Sequence, residues 1–179
     1  MDENGSASAC SNAPHGNSDA VNFRRFEPAR LPELMTWFPD AEQCRNWGGD
    51  FRFPFTPESF REDSKIDEIA SWSLVDEDAA LAAFGQCYVR IERCHFGRLA
   101  VSPRMRGRGL GTRLIRELTA WGLAEFGKRE LSLFVNTNNE AAHRLYLRLG
   151  FHEAPYPEER SPFMANSRYM VATDLRQTP

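Results

Sequence analysis

Residues 104–114, RMRGRGLGTRL, combine a flexible backbone with positive charge. Gly107, Gly109 and Gly111 alternate with other residues, and five arginines fall between positions 104 and 116. The segment lies between a strand-like stretch and a helical one, which places the glycines at a helix N-terminus. Such an end presents unpaired N–H groups and partial positive charge, glycine allows close approach, and arginine adds charge-assisted hydrogen bonds. The segment is therefore predicted to bind a phosphate group.

The spacing of the glycines excludes two common nucleotide-binding loops. It does not match G-x-x-x-x-G-K-[ST], and a G-x-G-x-x-G loop that starts at Gly107 needs a third glycine where the chain has Thr112. Nucleic acid is disfavoured as a partner, because the net charge is −3 and the segment has no interleaved aromatic residues for base stacking.

Hydrophobic periodicity predicts the elements that position this loop. Strand-like patterns occur at 21–27, 71–75, 82–91, 94–102, 131–135 and 167–175, and helical patterns at 28–38, 57–67, 109–126 and 139–149. The aromatic-rich stretch 44–60 is interpreted as a loop that either covers a small hydrophobic cluster or forms one wall of a substrate pocket. The order β, α, ββ, then β-α-β-α-β predicts an α/β fold with a mixed sheet flanked by helices.

Composition sets the expected boundaries and location. Residues 1–20 have almost no large apolar side chains and are predicted to be a disordered tail, which leaves 21–179 as one domain. No stretch of about 18 apolar residues and no signal peptide are found, so a cytoplasmic protein without a membrane partner is expected. The cysteines show no C-x-x-C spacing, so no metal site and no disulfide are predicted: Cys10, Cys44, Cys87 and Cys94.

Two motifs in a fixed order resemble a known family. Residues 106–111, RGRGLG, match R/Q-x-x-G-x-G/A, the pyrophosphate loop of the GNAT superfamily of acetyl-CoA-dependent N-acetyltransferases. Residues 139–151, NEAAHRLYLRLGF, resemble that family's N-x-x-A-x-x-L-Y-x-x-x-G-F helix. The close resemblance covers 94–151, and the strand order extends it over 21–175. It implies a mostly antiparallel central sheet, flanked by helices, in which strands four and five splay apart.

The resemblance also implies a site for acetyl-CoA. Backbone of the fourth strand would pair with the pantetheine arm, the N–H of Val101 would hold the thioester oxygen, and Asn139 would contact pantetheine, although it equally suits a helix N-cap. Arg104, Arg113 and Arg116 are expected on the solvated surface. The implied cofactor-binding residues are Leu99, Val101, Arg106, Gly107, Arg108, Gly109, Leu110, Gly111, Thr112, Asn139 and Ala142.

Two residues are expected to be catalytic. Tyr146 matches the family's general acid, which protonates the departing sulfur of coenzyme A. His95 occupies a position, six residues before Val101, where many members keep a glutamate or histidine as general base. Strand alternation predicts that His95, Gly97, Leu99 and Val101 share one side of the sheet.

Other groups could also act as the general base. Glu92 and a chain of waters remain alternatives to His95. Some relatives use a glutamate on the fifth strand, and this chain has Phe134 there, which removes one candidate. His143 and His152 are expected on the surface.

The implied reaction is direct attack of a primary amine on acetyl-CoA in a ternary complex, without a metal or a covalent enzyme intermediate. The alternative is a non-catalytic module that senses acyl-CoA. The acceptor, a small molecule or a peptide N-terminus, is expected near Trp47, the phenylalanines of 51–55 and the loop 155–169, where Glu158 and Glu159 could attract a cation. Different acceptors, acetyl-CoA or longer acyl-CoAs, and a monomer or a homodimer are all compatible with the sequence.

Overall fold

One sheet organises the part of the chain that the computed structural model describes, residues 21–173 and 175. The predicted tail at 1–20 lies outside the described residues. Within them, seven strands form the sheet in the order β1-β2-β3-β4-β5-β7-β6. The strands are β1 Asn22–Arg25, β2 Ser71–Val75, β3 Leu81–Arg90, β4 Arg93–Val101, β5 Leu131–Asn136, β6 His152–Glu153 and β7 Ser167–Ala172. The six predicted strands are confirmed, and the two-residue β6 is an addition.

Five α-helices flank the sheet in the described part of the chain. They are α1 Leu31–Met35, α2 Ala41–Gly48, α3 Pro57–Ser64, α4 Leu110–Phe126 and α5 Glu140–Leu149. None of the helices within 21–173 and 175 combines the length and the apolar character needed to cross a bilayer. The two C-terminal helices begin and end within a residue of the predicted positions.

The prediction of a loop over 44–60 is wrong at its start, where α2 runs to Gly48, whereas α3 confirms the helix predicted at 57–67. Asp40 caps α2 by accepting a hydrogen bond from the backbone N–H of Gln43 at 2.8 Å, so α2 already runs through the first aromatic residue of the stretch, Trp47. Thr56 caps α3 in the same way. The predicted helix 28–38 is also divided into a 3-10 turn and α1, because Pro32 has no N–H with which to continue a helix from Pro28.

The fourth and fifth strands separate early. Every neighbouring pair of strands is antiparallel except β4 and β5, which are parallel and pair only over Cys94–Phe96 and Leu131–Leu133. Beyond these residues β4 continues to Val101 and β5 to Asn136 without pairing to each other. The splayed strands that the family resemblance implies are therefore confirmed.

A β-bulge in β4 lies beside this gap. Phe84 of β3 pairs with Ala100, whereas Gln86 pairs with Gly97, so two steps along β3 correspond to three along β4. The extra residue falls at Arg98, which has a φ of 51°. An extra residue reverses the alternation of side chains between the two faces of a strand.

The bulge makes the prediction of one shared face wrong. Gly97 lies under the ring of Tyr88, and the ring of His95 is 5.1 Å from that of Tyr88, on the face covered by α1, α2 and α3. Leu99 and Val101 instead pack on the opposite face, with the apolar residues of α4 and α5. His95 and the two residues expected to contact the cofactor are thus on opposite sides of the sheet.

Two hydrophobic clusters result, one on each face. The cluster between α4, α5 and the sheet is mainly aliphatic. The cluster beneath α1, α2 and α3 is mainly aromatic, and Trp47 stacks there on Phe38 and Phe60 with ring centroids 4.3 and 5.3 Å apart. The aromatic residues of 44–60, except the exposed Phe53, therefore belong to a second core.

Helix α4 approaches the sheet closely at Gly122. A Cβ at this position would lie 2.8 Å from the Sγ of Cys87 and 3.5 Å from that of Cys94. Because both thiols are fully buried, neither can move aside into solvent.

We predict that Gly122→Ala lowers the free energy of unfolding by about 1 kcal/mol. Overpacking against the thiols costs about 1–3 kcal/mol, which exceeds the gain of up to ~1 kcal/mol from the higher helix propensity of alanine. Urea unfolding of this variant, of Cys87→Ala and of the double variant measures the effect. The loss should shrink in the Cys87→Ala background, where the obstructing sulfur is gone. An equal loss in both backgrounds would show that the contact with Cys87 is not limiting.

Candidate active site

Helix α2 bridges the gap between the two splayed strands. On one side, the indole Nε1 of Trp47 donates a hydrogen bond of 2.7 Å to the carbonyl of Arg98, the bulge residue of β4. On the other side, the amide Nδ2 of Asn136, at the end of β5, lies 3.2 Å from the carbonyl of Asn46 and 3.3 Å from its side-chain oxygen. The helix therefore fixes the ends of both strands at a distance from each other.

A first cavity of about 850 Å³ opens between β4, the start of α4 and α5. Of the residues predicted to bind the cofactor, Arg108 is exposed and does not line this cavity. Arg148, which was not predicted, does line it. Ten of the eleven residues predicted to bind the cofactor line this cavity: Leu99, Val101, Arg106, Gly107, Gly109, Leu110, Gly111, Thr112, Asn139 and Ala142.

The glycine loop presents open backbone to this cavity. Gly107 and Gly109 have φ values of 78° and 76°, a conformation that glycine adopts without strain. A Cβ at either position would meet no heavy atom within 4 Å. Gly109 precedes the first residue of α4, and no side chain caps this end, so the N–H groups of the first turn are free for an anion.

Helix α5 brings Asn139 and Tyr146 to the gap. Asn139 caps the helix by accepting a hydrogen bond of 3.2 Å from the N–H of Ala142, which confirms the interpretation as an N-cap, and it also lines the cavity. Tyr146 is 7% exposed, and burial raises the pKa of its phenol. No residue that the structure describes hydrogen-bonds the Tyr146 hydroxyl.

A second cavity of about 550 Å³ lies on the other side of the gap. Its wall includes Arg90, His95, Arg98 and Phe134. The two cavities share the residues at the gap itself: Asn46, Trp47, Leu99, Asn139 and Tyr146. Tyr146 therefore lies at the gap where the two cavities meet.

His95 lines the second cavity in an uncharged state. The residue is 2% exposed, and its Nδ1 lies 2.9 Å from the hydroxyl of Ser132. Burial, followed by the nearby charges of Arg90 and Arg98, lowers the pKa of His95 to about 3. The alternative base, Glu92, lies in the turn between β3 and β4, forms an ion pair with Lys128 and lines neither cavity.

The second cavity differs from the acceptor site expected from the sequence. Trp47, Met164 and Ser167 line it as predicted, but the phenylalanines of 51–55 and the two glutamates at 158 and 159 do not. Phe51 and Phe55 contribute instead to the aromatic core, and Phe53 is exposed.

Arg90 and Arg98 were not predicted as site residues, although one signal was present. Each is a charged residue within an otherwise largely apolar strand. Of the two histidines expected on the surface, His152 is exposed, whereas His143 keeps only 14% of its side chain exposed and lies 3.0 Å from Glu153.

Comparison with known proteins agrees with this architecture. Residues 32–151 match the acetyltransferase (GNAT) family model. A stretch of 100 residues is 28% identical to a candidate [ribosomal protein bS18]-alanine N-acetyltransferase of Bacillus subtilis (strain 168) and covers 56% of this chain and 66% of that relative's length.

Solved structures share the fold at low sequence identity. The ribosomal-protein-S18-alanine N-acetyltransferase of Escherichia coli is 22% identical with a TM-score of 0.60, over 88% of this chain and 96% of that one. The spermidine N-acetyltransferase of Vibrio cholerae, in complex with CoA and spermine, is 17% identical with a TM-score of 0.65, over 87% and 96%. Since the family model spans most of the chain and the sheet has the splayed strands of this fold, the chain belongs to the GNAT family of acetyltransferases.

Proposed function

We propose that the protein transfers an acetyl group from acetyl-CoA to a primary amine by direct attack in a ternary complex. The observation that carries this proposal is the meeting of two cavities at Tyr146, whose hydroxyl has no hydrogen-bond partner among the described residues. The relatives support the same class of acceptor, because their names specify an alanine amine or spermidine.

The residues of the first cavity suit coenzyme A. The open backbone at Gly107 and Gly109 fits a diphosphate, and Arg106 and Arg148 supply positive charge at the same cavity. The edge of β4 that faces β5 is unpaired at Leu99 and Val101, so its backbone groups are free to bond an amide-bearing arm. Acetyl-CoA, when bound, supplies a thioester that a neutral amine attacks directly.

Tyr146 is suited to donate a proton to the leaving sulfur. The phenol, whose ordinary pKa of 10 is raised further by burial, is protonated at neutral pH and can donate to the sulfur as negative charge develops there. Since no described residue hydrogen-bonds this hydroxyl, it is available to an acceptor that enters the gap. We assign Tyr146 the role of general acid.

His95 is assigned a narrower role than the general base expected from the sequence. A group with a pKa of about 3 is mostly deprotonated at neutral pH, but it is a weak base toward an ammonium ion. We propose that the imidazole forms a neutral wall of the acceptor cavity and that the amine loses its proton to water before attack.

The general-acid role predicts that Tyr146→Phe lowers kcat roughly 10²-fold and leaves the Kd for acetyl-CoA unchanged. Thiol release with a panel of amines gives kcat, and calorimetry gives the Kd. Tyr169→Phe is the matched control, because it removes another buried hydroxyl without a partner that lines neither cavity. Equal kcat in Tyr146→Phe and the parent would remove the role, and binding of acetyl-CoA without turnover of any amine would favour a sensor.

The buried, neutral state of His95 predicts a loss of stability in acid. In the unfolded chain this residue takes up a proton below its ordinary pKa of 6.5, whereas in the folded chain it does so only near pH 3. The free energy of unfolding that depends on the neutral imidazole is therefore fully present above pH 6.5 and declines as the pH falls toward 3. Between about pH 7 and about pH 5 this residue should account for ~2 kcal/mol.

Urea unfolding at both pH values measures this contribution in the parent and in His95→Asn, which does not titrate. The free energy of unfolding should decline by ~2 kcal/mol less in His95→Asn than in the parent between these pH values. His152→Asn, at an exposed histidine, should decline like the parent. If His95→Asn and the parent lose the same stability, the histidine is protonated in the folded state.

A further inference from the structure

Two arginines of the second cavity have only neutral partners. Arg98 donates hydrogen bonds of 2.8 Å to the side-chain oxygen of Gln86 and 3.0 Å to the carbonyl of Asp63, and its Nε is buried without a partner. Arg90 donates bonds of 3.0 and 2.8 Å to the hydroxyl of Tyr156. Among the described residues, no carboxylate lies within ion-pair distance of either guanidinium.

The acidic residues of the same cavity do not neutralise these arginines by direct contact. Glu62 and Asp63 pair with Arg52 instead, at 2.8 and 2.7 Å. Asp50 is exposed, and its charge and that of Asp63 act on Arg98 only through space. Burial still outweighs these charges and lowers the pKa of Arg98.

Unpaired charges in a partly buried site are costly, and two arginines on one cavity wall favour an anion as the missing partner. Both are also held in place. Arg98 is fixed by the bulge, and the guanidinium of Arg90 lies 5.4 Å from the ring centroids of Phe134 and of Tyr156. Side chains fixed in advance lose little entropy when a ligand binds.

We propose that the second cavity binds an acceptor that carries a carboxylate as well as its amine, with the carboxylate on Arg90 and Arg98. This inference rests on the proposed function, because it assigns the substrate class of the same site. The mixed charge of the cavity suits a small zwitterion such as a free amino acid. A polyamine would place its second ammonium against the arginines, and a dianionic phosphate would meet the nearby acidic residues.

Matched pairs of acceptors test this inference. The kcat/KM for each L-amino acid is compared with that for the amine that remains when its carboxylate is removed, and spermidine is measured as well. For the best acceptor, loss of the carboxylate should lower kcat/KM roughly 10²-fold, because the arginines are then left unpaired. Arg90→Met, which keeps the apolar stem between the rings, should reduce this preference to less than about tenfold.

Arg129→Met is the control, because this exposed arginine lines neither cavity, and it should keep the full preference. Acetylation of amines with no preference for the carboxylate would overturn the inference and leave the proposed function intact.

A binding measurement decides the inference even without turnover. Thermal unfolding in the presence of coenzyme A is followed with N-acetyl-L-amino acids and with the matching N-acetyl amines. We expect at least one N-acetyl-L-amino acid to stabilise the parent protein and its matching N-acetyl amine not to do so. The stabilisation should be lost in Arg90→Met. Stabilisation by none of the carboxylates, or equally by both members of each pair, would overturn the inference.

Discussion

The site depends on one feature of the sheet, the early end of pairing between β4 and β5. Only three residue pairs join these strands, and an inserted residue at Arg98 then bulges β4 away from the regular register. The separation creates the gap from which the two cavities open on opposite sides. Because the bulge also reverses side-chain alternation, β4 lines the first cavity with Val101 and the second with His95 and Gly97, while Leu99 lies at the gap and lines both.

The aromatic core stabilises this separation. Trp47 packs against Phe38 and Phe60 while its indole N–H bonds the carbonyl of the bulge, so the position of the bulge is fixed by the packing of a large aromatic side chain. The helix that carries Trp47 is also hydrogen-bonded to Asn136 at the end of β5. Trp47, expected from the sequence to lie near the acceptor, is thus also a structural support of the site.

The features that were predictable from the sequence were local or carried by the family resemblance. The glycine loop, the stripe of α4 and the cap at Asn139 follow from residue types within a few positions, and the splayed strands follow from the two motifs. The bulge was not predictable, because a positive φ is expected at a glycine and Arg98, not the adjacent Gly97, adopts it. Its conformation is imposed by partners distant in sequence, which are Trp47, Gln86 and Asp63.

The central claim, that the gap and its glycine loop bind acetyl-CoA, is tested most directly by thermal unfolding with and without this ligand in the parent, Gly109→Ala and Gly127→Ala. Both variants place alanine at a positive φ at one end of α4, so they carry similar strain, but only Gly109 lines the cavity. Ligand at about 100 times its Kd should stabilise the parent and Gly127→Ala by about 2.7 kcal/mol, and Gly109→Ala by much less. The same stabilisation in all three proteins, or none in the parent, would contradict the account.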